Sequence, residues 1–349
     1  MTNNVALISG VSGQDGILLS SFLLDKGYKV FGFSRSEASQ ILNVLKHVKR
    51  HDAESLSRFQ YCQVDICDRS AVIELIKEIQ PDELYHYASQ SNVKLSENLS
   101  TNTIHSNVIG SINMLDAISL YSKDAKCLFA NSSEIFDGFS DVPQDESSAI
   151  KPRNPYGISK AMSLMAAQSY RDVFHLHLSN SISFNHESSI RGEQYVSRKV
   201  SVGLCRIKLG LQECIELGNL HAMRDWGYAG DFVYAHWLMT QQKTPSDYVL
   251  GTGISHSVAQ LVETAAACLN MKILWIGEGP DTIGVWENGN KAPIIRVSEN
   301  FYRHESGLQL LANASKAHND LGWKPTMSFK QLVEKMVAFD LMKIQRLEQ

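Results

Sequence analysis

Short apolar runs alternate with helix-forming segments from residue 5 to residue 131, and this alternation restricts the fold more than any other feature of the chain. Val5 to Ser9 is apolar. The next stretch, "ILLSSFLLDKG", has apolar residues at 17, 18, 19, 22, 23 and 24 and closes on Gly27, the pattern of a helix and its stop. "YKVFGFSR" follows, then a helical segment near 40 to 50, "FQYCQVD", the helical "SAVIELIKEIQP", "ELYHYAS", a helix through "SNVIGSINMLDAISLYS", and "KCLFAN". Strands this apolar are buried on both faces. Repeated β-then-α units with right-handed crossovers therefore predict an α/β doubly wound parallel sheet. After about residue 170 the pattern loosens into shorter strands ("LHLSNSISF", "CIELG", "YVLGTG"), which predicts a smaller mixed α/β C-terminal domain packed over the strand ends. The expected division is 1–180 and 181–349, with segments around 217–240 and 290–300 able to return to the first part.

In such a sheet ligands sit beyond the carboxyl ends of the strands. The first β-α junction reads "ISGVSGQDG": Gly10, Gly13 and Gly16, with Gln14 and Asp15 before the last glycine. Glycine lets the backbone turn sharply and approach a pyrophosphate, whose charge meets the helix N-terminus. The spacing is one residue longer than G-x-G-x-x-G, and a tight turn without a ligand is the competing reading. Its place at the first junction of a Rossmann-type sheet favours a dinucleotide. An NAD site would close the second strand with an acid; here "GFSRS" supplies Arg35, a planar cation suited to a 2'-phosphate and hence to NADP. A solvated loop arginine is the alternative. Asp65, with Ile66 after it, ends the third strand where either an adenine edge or a helix cap would use it.

"PRNPYGISK" puts Tyr156 and Lys160 four apart, on one face of a helix that Asn154 and Pro155 are suited to start. A phenol of ordinary pKa about 10 is a poor base, but a neighbouring ammonium and a positive nicotinamide favour the phenolate. Tyr195 and Lys199 repeat the spacing in "EQYVSRK". Position selects the first pair, which follows by a short loop the strand that ends at Ser132. That strand stops abruptly in "CLFANSSEIFDG", where Ser132 and Glu134 project to one side of an extended chain and Ser133 to the other.

The three glycines, Ser132, Tyr156 and Lys160, in this order, resemble the extended short-chain dehydrogenase/reductase superfamily. Longer strings resemble, more narrowly, the GDP-mannose 4,6-dehydratase family: "SGVSGQDGILLSSFLLDKGYKVFG", "QPDELYHYASQSNV", "FNHESSIRGEQYVSRKV", "LGNLHAMRDWGYAGDFVYAHWLM", "GTGISHSV" and "LGWKPTMSFKQLV". They span nearly the whole chain. The resemblance implies an internal redox reaction on GDP-mannose. Tyr156 takes the proton of the sugar 4-hydroxyl while hydride passes from C4 to NADP+. The 4-ketone acidifies C5, Glu134 removes the C5 proton and assists loss of the C6 hydroxyl as water, and hydride returns to C6. The product is a GDP-4-keto-6-deoxy sugar, with no net use of cofactor. Ser132 stands where the family usually has threonine and keeps the hydroxyl that bonds the C4 oxygen. By the same resemblance Ala88, Ser89 and Gln90 line the cofactor ribose and phosphates, and Asn185, His186 and Arg191 its nicotinamide side. Ser91, Glu187, Lys199, Gly218, Arg224 and Arg303 contact the substrate, although Arg224 beside Asp225 also reads as an ion pair and Glu187 as a cap.

Three departures from the family pattern carry expectations. Ser189 and Ile190 replace a proline and a cation, which alters cofactor affinity. Arg303, His304, Glu305, Ser306 and Gly307 displace or remove the carboxylate that faces the substrate ribose, which opens a GDP-manno-heptose as alternative substrate. "SRSEASQILNVLKHVKR" has fewer arginines than the family's tetramer loop, leaving homodimer or homotetramer. A nucleotide-sugar 4-reductase or epimerase on the same scaffold has no need of Glu134, and a non-catalytic NADP-binding protein has no need of the whole set.

Composition agrees with a large soluble core, 44% of residues being hydrophobic and 20% charged. A formal net charge of -4 and a pI near 6.3 give no basic footprint for nucleic acid or anionic membrane. The six cysteines form no C-x-x-C pair, and neither a metal site nor a disulfide framework is expected. "MTNNVALISG" enters a strand directly and no apolar run reaches membrane-spanning length, so the expected location is the cytoplasm.

Overall fold

The computed structural model describes residues 4–48, 52–139, 142–287, 289, 292–302 and 309–347. The apolar runs form strands β1 (Val5–Ser9), β2 (Lys29–Ser34), β3 (Phe59–Gln63), β4 (Glu83–His86), β5 (Lys126–Ser132) and β6 (Leu178–Ser183). Shorter strands follow: β7 (Asn185–Glu187), β8 (Ile215–Leu217), β9 (Met223–Tyr228), β10 (Tyr248–Leu250), β11 (Ser255–Ser257), β12 (Ile273–Ile276), β13 (Ile283–Trp286), β14 (Pro293–Val297) and β15 (Gln309–Leu310). Between the first strands run α1 (Gln14–Asp25), α2 (Ala38–Val48), α3 (Ala53–Ser57), α4 (Arg69–Ile79), α5 (Val93–Asn98), α6 (Ser100–Ile104) and α7 (Gly110–Tyr121). The later helices are α8 (Pro155–Phe174), α9 (Val196–Lys208), α10 (Ala229–Thr240), α11 (Val258–Cys268), α12 (Ser315–Leu321) and α13 (Phe329–Leu347).

The main sheet has the order β10-β6-β5-β4-β1-β2-β3, parallel at every pairing. The doubly wound expectation is met: β1 lies between β2 and β4, so the crossovers leave it in opposite directions and a crevice opens above its carboxyl end. Register sets what faces that crevice. Ser9 lies opposite Phe33 and His86, and His86 opposite Phe129, so β5 and β6 run three residues further, to Ser132 and Ser183, and form a taller wall beside the crevice.

Two smaller sheets, β11-β9-β15 with β7 on β9, and β12-β13-β14-β8, stand over those ends. Their core joins α9, α11 and α13 through Val200, Leu204, Val262 and Val333, among others. In it the buried Arg198 guanidinium pairs with the buried Asp340 carboxylate, which Ser201 also bonds. Removing one member of such a pair strands a buried charge and costs about 3–5 kcal/mol.

The chain crosses between the two layers repeatedly. β10 is an edge strand of the main sheet, and Phe232, Met239, Ala317 and Trp323 join its core. Within the segment 290–300, β14 pairs with β13 and β8 in the smaller four-stranded sheet and not with the main one. β8 lies there too, so the return near 217–240 begins at α10.

Candidate active site

A cavity of about 1300 Å³ lies between the main sheet's carboxyl edge and the smaller sheets. Its floor is the first β-α turn. Gly10 has φ +70, and a Cβ there would sit 2.6 Å from the Ala88 nitrogen, so only glycine lets the turn lie against the chain leaving β4. Gly13 caps α1 without any side-chain hydrogen bond, which leaves the first-turn N–H groups facing the cavity.

Gln14 and Asp15 reach across to the loop after β6. Gln14 Nε2 donates to the His186 carbonyl at 3.1 Å, and Ser188 Oγ donates to Gln14 Oε1 at 2.7 Å. His186 Nε2 lies 2.9 Å from Asp15 Oδ2, its Nδ1 bonds the Phe184 carbonyl at 2.7 Å, and its ring stacks on Phe232. Burial alone would raise the Asp15 carboxyl; the charge and hydrogen bond of His186, with the charge of Arg191, hold it well below the usual carboxylate range. Burial depresses His186, but Asp15 outweighs it and the imidazole is raised. The two form an ion pair that fastens the glycine turn to the opposite wall.

The remaining expected cofactor residues divide. Arg35 is exposed at the rim among Ser12, Ser34 and Ser36, and Ile66, Ala88, Ser89 and Asn185 line the cavity. Asp65 Oδ1 accepts from Cys67 N at 2.9 Å, and the cap of α4 is Asp68 rather than Asp65. Gln90 also faces inward, its backbone held at both ends by Asn107 and its side-chain amide by Thr103 and Asn92. Ile190 lines the cavity and packs on the main core, an apolar wall where the resemblance expected a cation.

The catalytic candidates converge. Ser132 ends β5, and the chain turns at once through a 3-10 turn, Ser133–Ile135, with Glu134 N donating to Ser132 Oγ at 3.3 Å. Ser133 is buried, but within a 3-10 turn and not on the extended chain that the alternation assumed. Tyr156 and Lys160 share the inner face of α8, both buried. Lys160 Nζ donates to the Ala130 carbonyl at 2.8 Å and lies 6.0 Å from the Tyr156 ring centre. Burial pushes the Lys160 ammonium down to about 8, against the opposing charge of Asp15. Burial pushes the Tyr156 phenol up, more than its hydrogen bond to Ser132 pulls it down. Among the protein's own groups desolvation of the phenolate dominates.

The far wall holds the second tyrosine-lysine pair. Tyr195 precedes α9, its hydroxyl 2.7 Å from Ser91 Oγ and its ring 3.9 Å beneath the Arg191 guanidinium. Lys199 Nζ sits 3.6 Å from the Phe301 ring centre, with Lys94 Nζ at 4.7 Å. Burial lowers the Lys199 ammonium, and Lys94 adds to this. Gly218 and Arg224 line the same wall; a Cβ on Gly218 would lie 2.1 Å from the Phe301 carbonyl, so glycine is what admits that loop. Asp225 is not the partner that its place in the sequence suggests, since Thr252 and Gly253 bond its carboxylate. Glu187 is buried behind the wall, its Oε2 accepting from Ser197 Oγ at 2.6 Å and lying 3.5 Å from Nε of the cavity-lining Arg191. Arg303 lies outside the described residues, as do His304 through Gly307.

Sequence reasoning missed Tyr195, Lys94, Phe301 and the second bond of Asn154, whose Nδ2 donates to Glu134 Oε2 at 2.7 Å. The repeated Y-x-x-x-K spacing was the one available signal for Tyr195. Among the described residues no helix is long and apolar enough to cross a membrane, and no three His, Cys, Asp or Glu residues group as metal ligands.

The chain matches the family model described as GDP-mannose 4,6 dehydratase over residues 7–336. GDP-mannose 4,6 dehydratase 2 of Caenorhabditis elegans is 38% identical, across 97% of this chain and 89% of that one. GDP-mannose 4,6-dehydratase of Sinorhizobium fredii is also 38% identical, across 97% and 96%. The human GDP-mannose 4,6 dehydratase is 36% identical, across 97% and 91%. Among solved structures, dTDP-glucose 4,6-dehydratase of Bacillus anthracis in complex with NAD superposes with a TM-score of 0.79 at 18% identity, covering 98% of each chain. UDP-glucose 4-epimerase of Thermotoga maritima with UDP-glucose gives 0.77 at 20%, covering 99% and 100%.

Proposed function

The chain belongs to the GDP-mannose 4,6-dehydratase family, and from that premise we propose that it converts GDP-mannose to a GDP-4-keto-6-deoxy sugar through Ser132, Glu134, Tyr156 and Lys160. One observation carries the reading: an acid-base phenol, an ammonium, a hydroxyl and a carboxylate converge on one cavity from the end of β5 and the start of α8. A reductase or epimerase needs the first three. The carboxylate two residues after Ser132 is the group that a dehydration adds.

The cavity residues fit a nicotinamide dinucleotide. The open N-terminus of α1 suits a pyrophosphate, Arg35 suits a 2'-phosphate and so NADP, and Arg191, held by Glu187 at 3.5 Å, brings a second cation to the cavity wall. When bound, the dinucleotide supplies a hydride acceptor at C4 and a donor at C6, without net consumption. Tyr156 takes the 4-hydroxyl proton, and Ser132 bonds the same oxygen. Lys160 stands 6.0 Å from the Tyr156 ring centre, where its ammonium together with a bound nicotinamide would favour the phenolate. The C4 carbonyl then acidifies C5; the Glu134 carboxylate takes that proton as the C6–O bond breaks and water leaves. Lys199, Lys94 and Arg224 furnish cations for the diphosphate. In this scheme residues up to about 180 with α10, β10 and α12 form the cofactor half, and the two small sheets form the substrate half.

The unpaired cysteines favour a reducing compartment, the cytoplasm. Exposed Ile158, Met162 and Met165 on α8, with Leu95, Leu99 and Ile109, give an apolar face for a homodimer, and sedimentation should find a dimer that charged substitutions at Met162 and Met165 dissociate.

Incubation with GDP-mannose should yield the 4-keto-6-deoxy product without added NADPH, mass spectrometry of the purified protein should find NADP, and Glu134→Gln should abolish dehydration. Turnover of a GDP-manno-heptose but not of GDP-mannose would remove the sugar assignment. Failure across GDP-, UDP-, CDP- and dTDP-sugars would overturn the reaction.

A further inference from the structure

We propose that Asn154 is a positioning residue for Glu134, coupling the carboxylate that removes the C5 proton to the helix that carries Tyr156 and Lys160. The inference rests on the role assigned to Glu134 above and concerns how that role is held in place.

Asn154 is the N-cap of α8, in extended backbone conformation (φ -144, ψ 162), with its Oδ1 accepting from Gly157 N at 2.8 Å. This alone is a common helix start. Its other amide atom makes a second bond, Nδ2 to Glu134 Oε2 at 2.7 Å. The two bonds fix which way the amide points: a backbone N–H needs the oxygen, and a carboxylate needs the NH2. One planar group therefore spans the catalytic turn and the catalytic helix. The surrounding backbone is built for this contact. A Cβ on Gly157 would lie 2.2 Å from the Glu134 carbonyl oxygen, and Lys151 N donates to the Ile135 carbonyl at 2.8 Å, pressing the approach to α8 onto the 3-10 turn.

The consequence for the chemistry is directional. Glu134 carries the hydrogen bond on Oε2, so Oε1 is the oxygen left to take the C5 proton. When C5–H breaks, the proton goes to Glu134, the C–H electron pair forms the C5–C6 double bond, and the C6–O pair leaves with the hydroxyl, which takes that proton back from Glu134 and departs as water. Without the amide the carboxylate can rotate, and the fraction of encounters in which it faces C5 falls.

Three variants separate this role from helix capping. Serine and aspartate cap about as well as asparagine, whereas alanine does not. Thus Asn154→Ser should keep the melting temperature and Asn154→Ala should lower it, while Asn154→Asp keeps the cap and loses only what the repulsion between its carboxylate and Glu134 costs. Activity should follow a different order. Serine and alanine should lower kcat about tenfold with KM unchanged, and aspartate, which sets a second carboxylate against Glu134, about a hundredfold. The kinetic isotope effect on kcat with C5-deuterated GDP-mannose should rise above the wild-type value in all three. If activity instead tracks melting temperature and the isotope effect stays at the wild-type value, Asn154 only caps the helix and the inference is overturned. Glu134→Gln keeps the two levels apart. If it still dehydrates, the role of Glu134 itself falls; if it does not, and the Asn154 variants leave the isotope effect unmoved, only the positioning role falls.

Discussion

Two helix starts carry the same five-residue signature, Tyr156 to Lys160 on α8 and Tyr195 to Lys199 at α9, and they face each other across one cavity. At α8 both side chains are buried, and the lysine is pushed down to about 8. At α9 both are half-buried; the tyrosine bonds Ser91 and carries Arg191 on its ring, and the lysine rests on Phe301. Spacing puts a tyrosine and a lysine on one side of a helix. It does not set how dry that side is, and dryness sets the chemistry: the α8 pair is tuned by desolvation beside Ser132, while the α9 pair keeps its ordinary functions of hydrogen bonding and charge.

The largest effect expected from this contrast is on turnover. Tyr156→Phe removes the proton acceptor and should lower kcat by about a thousandfold. Tyr195→Phe loses one hydroxyl bond, to Ser91, and keeps the ring under Arg191, so it should change kcat/KM by less than about tenfold, mostly through KM. Steady-state kinetics on the two variants decides the matter. Comparable losses in kcat would mean that the two pairs act as one proton-transfer set and that burial is not what distinguishes them.

The same contrast explains which parts of the molecule were legible in the sequence. The sheet was, because strands buried on both faces and closed by turn residues leave one pattern. Ser132, Glu134, Tyr156 and Lys160 followed, since a strand end and a helix start fix where a side chain sits. What a side chain meets was not legible. Asp15 and His186 are 171 residues apart in the chain, and nothing local says that they pair. Asp65, read from its strand end as an adenine contact, and Gln90 and Glu187, assigned to ligands by the resemblance, each also hold a protein partner that nothing local in the sequence announces. Asn154 was read correctly as a cap, but its bond to Glu134 joins separate elements and has no local signature.

The smallest effect is on stability against pH, and it tests burial directly. A lysine in an unfolded chain titrates near about 10.4. Lys160 in the folded protein titrates at about 8, so between these values the unfolded chain binds more protons at this position than the native one. Stability therefore rises with pH through that window, by at most about 1.4 kcal/mol per pH unit, and the gain is lost again as pH falls through about 8. Lys160→Met removes the titration and, with it, the rise; it also frees the Ala130 carbonyl, an offset that does not depend on pH. Lys199 is lowered too, but it is half-buried and solvent screens it, so Lys199→Met should leave most of the slope in place. Urea midpoints at about pH 7.5 and about pH 9.5 for the wild type and both variants measure this, and the differences between variant and wild type cancel the other titrating groups. The expected result is a wild type that gains on Lys160→Met as pH rises and keeps pace with Lys199→Met. Equal flattening by both substitutions would show that the α9 lysine is as desolvated as the α8 lysine, and the distinction between the two pairs would then have to rest on the groups around the tyrosines.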